Sequence, residues 1–374
     1  MVEAGEAEVG EGQLAQHVDG VGDRDPPRRY GLEQLLQGGF VHVTILTTVQ
    51  TPAPLPGLLE GARIGYLGPR GTFHEAALRS QPDLATADLV PFPSIPDIIA
   101  ATAAREVELG LVAIENAIEG TVGVTADALA FEVDLLIQRE VVLDVRLALM
   151  AVPGTQLSDV HTVVSFPHAL GQCRRFLRER MPAVATEAAP STAEAARMVG
   201  EKRPPGVAAL GPSLAAELYD LDVLEPTVED HPNNSTRFYL VAPEGVPTPS
   251  GHDKTSVVVY QKADVPGSLV SILQEFSARR INLTRLESRP TRRELGDYCF
   301  ILDAEGHIAD EVIADCLRNL KMKQADVKFL GSYPAGGLGA EDRRSEAAGA
   351  LQGAQSWLDG LRGAVRPAAS YEPL

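Results

Sequence analysis

From Ala62 onward, short apolar runs alternate with segments of helical periodicity, and this rhythm restricts the chain to an α/β fold. The run Arg63–Leu67 stops at Gly68-Pro69-Arg70-Gly71-Thr72, after which Phe73, Ala76, Ala77 and Leu78 recur at helical spacing. A second unit places a strand at 89–92, Ser94 as the helix cap and a helix through Ala104. A third strand, 109–114, passes through Glu115-Asn116-Ala117-Ile118-Glu119-Gly120-Thr121-Val122 into a helix over 124–131. Three such units in series predict a mostly parallel sheet.

The apolar stretch 141–152, interrupted by Arg146, suits a buried strand or a crossover between two lobes. Beyond Pro153 the rhythm resumes with a strand at 161–165, the loop Phe166-Pro167-His168 and a helix carrying Leu170, Cys173, Phe176 and Leu177. A strand near 183–187 precedes Ser191-Thr192-Ala193-Glu194, whose Ser and Glu three apart form a capping-box signature. A short strand at 207–210 and Gly211-Pro212-Ser213 lead into a helix ending at Tyr219. The stretch Asn233-Asn234-Ser235-Thr236-Arg237-Phe238-Tyr239-Leu240-Val241 closes this second lobe and returns toward the first. Taken alone it reads as a polar turn entering a strand.

In open parallel sheets, ligands bind beyond the carboxyl ends of strands, where helix N-termini present unpaired N–H groups. Four loops share that position: 68–72, 115–122, 165–168 and 211–213. Gly68-x-x-Gly71-Thr72 lacks the Lys-Ser/Thr of a phosphate-binding loop and the full dinucleotide fingerprint, so the cleft suits a small carboxylate rather than a nucleotide. The formal charge of −18 argues against a nucleic-acid or anionic-membrane partner, because no basic surface exists to follow phosphates. Cys173, Cys299 and Cys316 are odd in number and set in apolar contexts, as free thiols of a reducing, cytoplasmic compartment are. No Cys/His spacing resembles a metal site, and neither metal nor cofactor is expected.

The first 60 residues are acidic and Gly-rich, as a solvated extension is. The apolar run 40–49 within them is too short to span a bilayer, and nothing there looks like a signal peptide. Residues 61–243 form the two-lobed domain and 244–253 a Pro/Gly-rich linker. Residues 254–333 follow a β-α-β-β-α-β order, which predicts a ferredoxin-like module. Residues 334–374 read as a flexible tail in which Trp357, Leu358 and Leu361 form at most one amphipathic turn.

Gly65-Tyr66-Leu67-Gly68-Pro69-Arg70-Gly71-Thr72-Phe73, then Glu115-Asn116 with Gly120-Thr121-Val122, then Asn234-Ser235-Thr236-Arg237-Phe238 resemble the ordered motif set of prephenate dehydratases. The resemblance implies a periplasmic-binding-protein-like pair of lobes that converts prephenate to phenylpyruvate in phenylalanine biosynthesis, with loss of water and carbon dioxide. By matching, Thr236 is the catalytic residue, and Thr72, Asn116, Gly120, Thr121, Ser235, Arg237 and Phe238 belong to the substrate site. The family commonly shows a Ser-His-Pro-Gln loop where this chain has Ser165-Phe166-Pro167-His168. Ser165 is therefore expected in the pocket, with His168 either a displaced imidazole or a surface residue. Arg146 is a counter-charge, a residue of a solvated edge or an inter-lobe ion pair.

The C-terminal module resembles an ACT domain, through Pro266-Gly267-Ser268-Leu269-Val270 and Glu287-Ser288-Arg289-Pro290. This implies phenylalanine as feedback inhibitor, bound by Gly267, Ser268, Leu269, Glu287, Ser288 and Arg289 between paired ACT domains of a homo-oligomer, dimer or tetramer. Two other readings stay open: the same fold acting on arogenate, and a catalytically silent carboxylate or amino-acid sensor.

Overall fold

The structure is a computed structural model that describes residues 61–262, 265–291, 297–324, 326–337 and 340–364. The acidic extension 1–60 lies outside the described residues.

The first lobe opens with β1 (Arg63–Leu67) and α1 (Phe73–Arg79), whose cap Thr72 accepts the Glu75 N–H. Then follow β2 (Asp88–Phe92) and α2 (Ile95–Ala103), which Ser94 caps through the Asp97 N–H. The lobe continues through β3 (Leu109–Asn116), the two-residue β4 (Gly120–Thr121) and α3 (Gly123–Asp127) with a π-type turn Ala128–Glu132, and ends with β5 (Leu136–Asp144). The second lobe holds β6 (Ala148–Ala151), β7 (Thr162–Ser165), α4 (Pro167–Gln172), α5 (Arg174–Arg180) and β8 (Ala185–Ala188). It closes with α6 (Thr192–Lys202), β9 (Val207–Gly211), α7 (Ser213–Leu218) and β10 (Asp222–Glu225). β11 (Ser235–Ala242) then returns to the first lobe.

Both sheets are mixed, which corrects the mostly parallel expectation. In the first, ordered β2-β1-β3-β11-β5, β1 runs parallel to β2 and β3, whereas β11 is antiparallel to both β3 and β5. A strand arriving from the other lobe enters the middle of the sheet from the opposite end, and this reverses its direction. In the second sheet, ordered β10-β6-β9-β7-β8, β7 is parallel to its neighbours while β6 is antiparallel to β9 and β10. The apolar stretch 141–152 is split between β5 and β6, with 145–147 as one crossover between lobes and 226–234 as the other. The two crossovers are laced together: the Val145 N–H donates to Asn234 O at 2.8 Å, and Glu229 takes both the Leu147 N–H at 3.0 Å and the Arg146 guanidinium at 3.1 Å.

After the linker come β12 (Asp253–Tyr260), α8 (Ser268–Ser277), β13 (Leu283–Pro290), β14 (Tyr298–Glu305), α9 (Glu311–Lys323) and β15 (Asp326–Pro334), in the antiparallel order β13-β14-β12-β15. Alternation divides this sheet cleanly. Val257, Val259, Phe300 and Leu302 pack under α8 and α9. Val258, Ile301, Leu330 and Tyr333 pack instead on Ile137, Tyr239 and Val241 of the first lobe. At Gly331, with φ of +141°, an added Cβ would stand 2.7 Å from the Ile137 carbonyl, so only glycine lets β15 come this close to β5. In the tail, where one amphipathic turn was expected, Ala340–Gly363 is a 24-residue helix, α10. Its five Ala, three Arg and three Leu are good helix formers and outnumber its four Gly.

Candidate active site

A cavity of about 330 Å³ lies between the lobes. Its floor comes from the end of β1 and the start of α1, from Asn116 at the end of β3, and from Thr236 and Phe238 on β11; Phe166, His168 and Gln172 around α4 and residues 190–192 at the start of α6 close it from the other lobe. Val145 and Leu147 of the crossover complete the wall. Two contacts bridge the lobes beside it: Glu119 Oε1 meets His168 Nδ1 at 3.1 Å, and the Tyr219 hydroxyl donates to Arg70 O at 2.8 Å.

Thr236 and Asn116 are register partners across β11 and β3. The Asn116 amide nitrogen donates to Thr236 Oγ1 at 2.9 Å, and its Oδ1 accepts the N–H groups of Ile118 and Glu119 at 3.0 Å each. Because the carbonyl end of Asn116 is held by the turn, its NH₂ must face Thr236. The Thr236 oxygen therefore already accepts a hydrogen bond, and its own O–H remains to be donated into the cavity. α6, capped by Ser191 whose Oγ accepts the Glu194 N–H at 3.0 Å, points the positive end of its dipole at the same space.

Of the residues picked from sequence, the cavity gathers Thr72, Asn116, Thr236 and Phe238. Thr72 lines it with its hydroxyl committed to the loop, donating to Leu67 O at 2.8 Å and accepting the Glu75 N–H. His168 lines it as well, at the mouth, with its side chain 61% exposed. Arg146 is half-exposed and pairs with Glu229 between the two crossovers, outside the cavity wall.

Five expected pocket residues stand elsewhere. Ser165 is wholly buried and donates to Leu210 O at 2.7 Å, tying β7 to β9. Gly120 is the register partner of Asn116 on β4 and is not in the cavity wall, and the Thr121 hydroxyl donates to Glu287 Oε2 of the C-terminal module at 3.0 Å. Ser235 and Arg237 flank Thr236 on β11, and the pleat sends neighbours of a cavity residue to the opposite face. Arg237 there meets Glu140 at 2.9 Å, and Glu140 also holds Lys254 Nζ at 2.9 Å and the Gly336 N–H at 2.8 Å.

The expected effector residues divide between two faces of their sheet. Gly267, with φ of +93°, precedes α8; the Ser268 hydroxyl donates to Val265 O at 2.8 Å, Leu269 packs under the helices, and Ser288 is exposed. Glu287 and Arg289 instead face the first lobe, Arg289 binding Asp127 Oδ1 at 2.7 Å through Nε. They join the module to the two-lobed domain.

Sequence reasoning passed over several cavity residues, among them the polar His74, Gln172 and Asn234. His74 Nε2 and Asn234 Oδ1 are buried with no hydrogen-bond partner among the described residues. Burial pushes the His74 imidazole from its ordinary 6.5 down to about 3. Both lie within or next to the quoted motifs, and the available signal was a polar side chain on the cavity-facing period of its element. Among the described residues no cluster of His, Cys, Asp or Glu could hold a metal ion.

A closed two-lobed α/β domain with a threonine donor at its cleft, followed by a ferredoxin-like module, defines an enzyme with an appended regulatory domain. The prephenate dehydratase family model matches residues 64–245 and the ACT domain model residues 255–321. The chain belongs to the prephenate dehydratase family and carries a C-terminal ACT domain. It is 42% identical over 310 residues to the prephenate dehydratase of Mycolicibacterium gilvum, covering 80% of this chain and 98% of that one. A prephenate dehydratase of Arthrobacter aurescens, solved in complex with L-Phe, is 37% identical with a TM-score of 0.68, covering 80% of this chain and 99% of that one. A second solved structure, described as a novel type of quorum-quenching acylase, is 30% identical with a TM-score of 0.67 over 73% of this chain and 98% of its own.

Proposed function

We propose that this enzyme binds prephenate in the inter-lobe cavity and that Thr236 assists departure of the ring hydroxyl. The observation that carries this reading is the Asn116–Thr236 hydrogen bond, which leaves the threonine O–H as a donor aimed at the cleft. Prephenate holds its own driving force: loss of the ring carboxylate as carbon dioxide and of the C4 hydroxyl yields an aromatic ring. The electron pair of the breaking C–CO₂ bond enters the ring as the C–O bond breaks, and one proton is taken up to convert the departing hydroxide to water. A threonine is too weak an acid to be ionised at neutral pH, so Thr236 acts by donating a hydrogen bond, or a relayed proton, to that oxygen. The start of α6 favours a substrate carboxylate, and Phe166, Leu147 and Phe238 supply apolar surface for the ring.

L-phenylalanine acts in this reading as a feedback inhibitor at the start of α8, with Gly267, Ser268, Leu269 and Ser288 toward the ligand. Glu287 and Arg289 carry its effect to the first lobe through Thr121 and Asp127. Pairing of ACT domains makes the enzyme a homo-oligomer, and no helix among the described residues is long and apolar enough to cross a membrane, in keeping with a cytoplasmic place.

The test is incubation of the purified chain with prephenate, with arogenate and with an acylated quorum-sensing signal. Phenylpyruvate from the first is expected. Phenylalanine from the second with no turnover of the first, or deacylation of the third alone, would overturn the substrate assignment.

A further inference from the structure

The segment 68–72 forms part of the cavity wall, through Gly68 and Thr72, and both lobes hold it. From its own lobe, the Gly71 N–H donates to Glu75 Oε2 at 2.7 Å, and Glu75, at 1% exposure, is held in turn by Arg79 at 2.7 Å. From the second lobe, the Tyr219 hydroxyl donates to Arg70 O at 2.8 Å. Close backbone approach seats this contact. Gly71 has φ of +84°, and an added Cβ would stand 3.2 Å from Ala215 Cβ of α7 and 3.3 Å from the Tyr219 ring. Tyr219 follows α7 directly and lies against α6, since a Cβ on Gly200 would stand 2.5 Å from Tyr219 O. At its start α6 reaches the cavity, where Ser191 and Thr192 line it. One tyrosine thus ties the loop of the first lobe to an element that closes the cavity from the second. The other bridge, Glu119 to His168, joins side chains 47% and 61% exposed, and a pair so open to water holds little. Tyr219 itself is not part of the cavity wall.

We propose that Tyr219 is a positioning residue: its hydrogen bond to Arg70 O fixes the second lobe against the 68–72 loop and so sets the closed cleft that prephenate occupies, without touching substrate. The inference rests on the prephenate reading. The hydroxyl meets a carbonyl of a loop that Glu75 already anchors, so the bond constrains the two lobes and not the loop alone. Closure that the chain favours by itself is closure that substrate binding need not supply, and apparent affinity rises with the fraction of closed protein. The bond is made alike with substrate bound and in the transition state, so it acts on KM and leaves kcat. Ser165 gives the contrast. Its hydroxyl also donates to a backbone carbonyl, Leu210 O at 2.7 Å, but within one lobe, where it bears on stability alone.

The test is Tyr219→Phe, which removes the hydroxyl and keeps the ring, set beside Ser165→Ala, by steady-state kinetics on prephenate and thermal unfolding of the full chain. For Tyr219→Phe, KM is expected to rise about fivefold with kcat within about twofold of wild type, as loss of one closure bond gives. Ser165→Ala is expected to lower the unfolding temperature with KM unchanged. A Tyr219→Phe enzyme whose KM rises less than about twofold, or whose kcat falls by more than its KM rises, overturns the proposal. An equal rise of KM in both variants also overturns it, because the inter-lobe placement of the bond would then not matter. If Tyr219→Phe does not fold, Gly71→Ala, whose methyl would press on Ala215, takes its place, with the same rise in KM expected and a rise below about twofold overturning the proposal. Wild-type inactivity on prephenate instead defeats the substrate reading, so the two failures are distinct.

Discussion

Asn116 and Thr236 sit opposite each other across β3 and β11, with the amide nitrogen of one 2.9 Å from the hydroxyl oxygen of the other. This geometry makes the amide a device for setting the direction of a proton. Asn116→Ala should lower kcat about tenfold to a hundredfold with KM little changed, because the hydroxyl loses its preferred orientation. Asn116→Asp should be worse, since a carboxylate accepts the Thr236 O–H and turns it away from substrate. Steady-state kinetics ranks the two, and an Asp variant as active as the Ala variant would contradict the donor role. Thr236→Ala should abolish most turnover while the unfolding temperature stays near wild type.

Ser165→Ala separates a structural from a substrate-binding hydroxyl. The serine donates to Leu210 O inside the second lobe, so the variant should lose about 1 kcal/mol of stability and keep kcat/KM. Denaturant unfolding and kinetics on the same preparation check both halves.

Glu140 gathers Arg237, Lys254 and the Gly336 N–H between the first lobe and the C-terminal sheet, at 2% exposure. Glu140→Ala leaves two cations facing each other in a largely buried site, and should cost about 3–5 kcal/mol in equilibrium unfolding. Because Arg237 follows Thr236 directly, the same variant should also change the phenylalanine concentration needed for half-inhibition, measured by titration.

Gly267 has a positive φ and open space around its missing side chain. Gly267→Val should therefore fold with a backbone strain of about 1–2 kcal/mol, keep basal activity and weaken phenylalanine inhibition. Unaltered inhibition would remove the start of α8 from the effector site.

His74 links stability to acid. Its folded pKa, near 3, lies below the ordinary 6.5, so between these values the unfolded chain binds a proton that the folded chain does not. Stability contributed by the neutral ring is complete above about pH 6.5 and is lost as pH falls, at roughly 1.4 kcal/mol per pH unit. Relative to His74→Phe, the wild type should lose about 2 kcal/mol between pH 7 and pH 5. Glu119 and His168, the other titratable groups of the cavity wall, are present in both proteins and cancel in the comparison.

The alternation of apolar runs and helical spacing was enough to read two α/β lobes and a β-α-β-β-α-β module. Capping residues Thr72, Ser94 and Ser191 act where the local chemistry puts them. Within β11 the period-two rule could have told Thr236 and Phe238 from Arg237, since neighbours on a strand face opposite sides. The motif match, treating the residues as a block, hid that distinction. Thr121 and Ser165 were beyond local reading, because their partners, Glu287 and Leu210, lie 166 and 45 residues away.

The sequence by itself determined most elements and their order, because propensity, periodicity and caps act over a few neighbours, and its motif resemblance singled out Thr236. The tertiary structure decided which face each polar residue shows and what meets it there. It made the first sheet mixed by bringing β11 back from the second lobe, placed Asn116 against Thr236, and turned Arg237, Glu287 and Arg289 toward the contact between domains. Those are pairings between residues far apart in the chain, fixed by sheet register and by the burial of opposite charges, and no local pattern carries them.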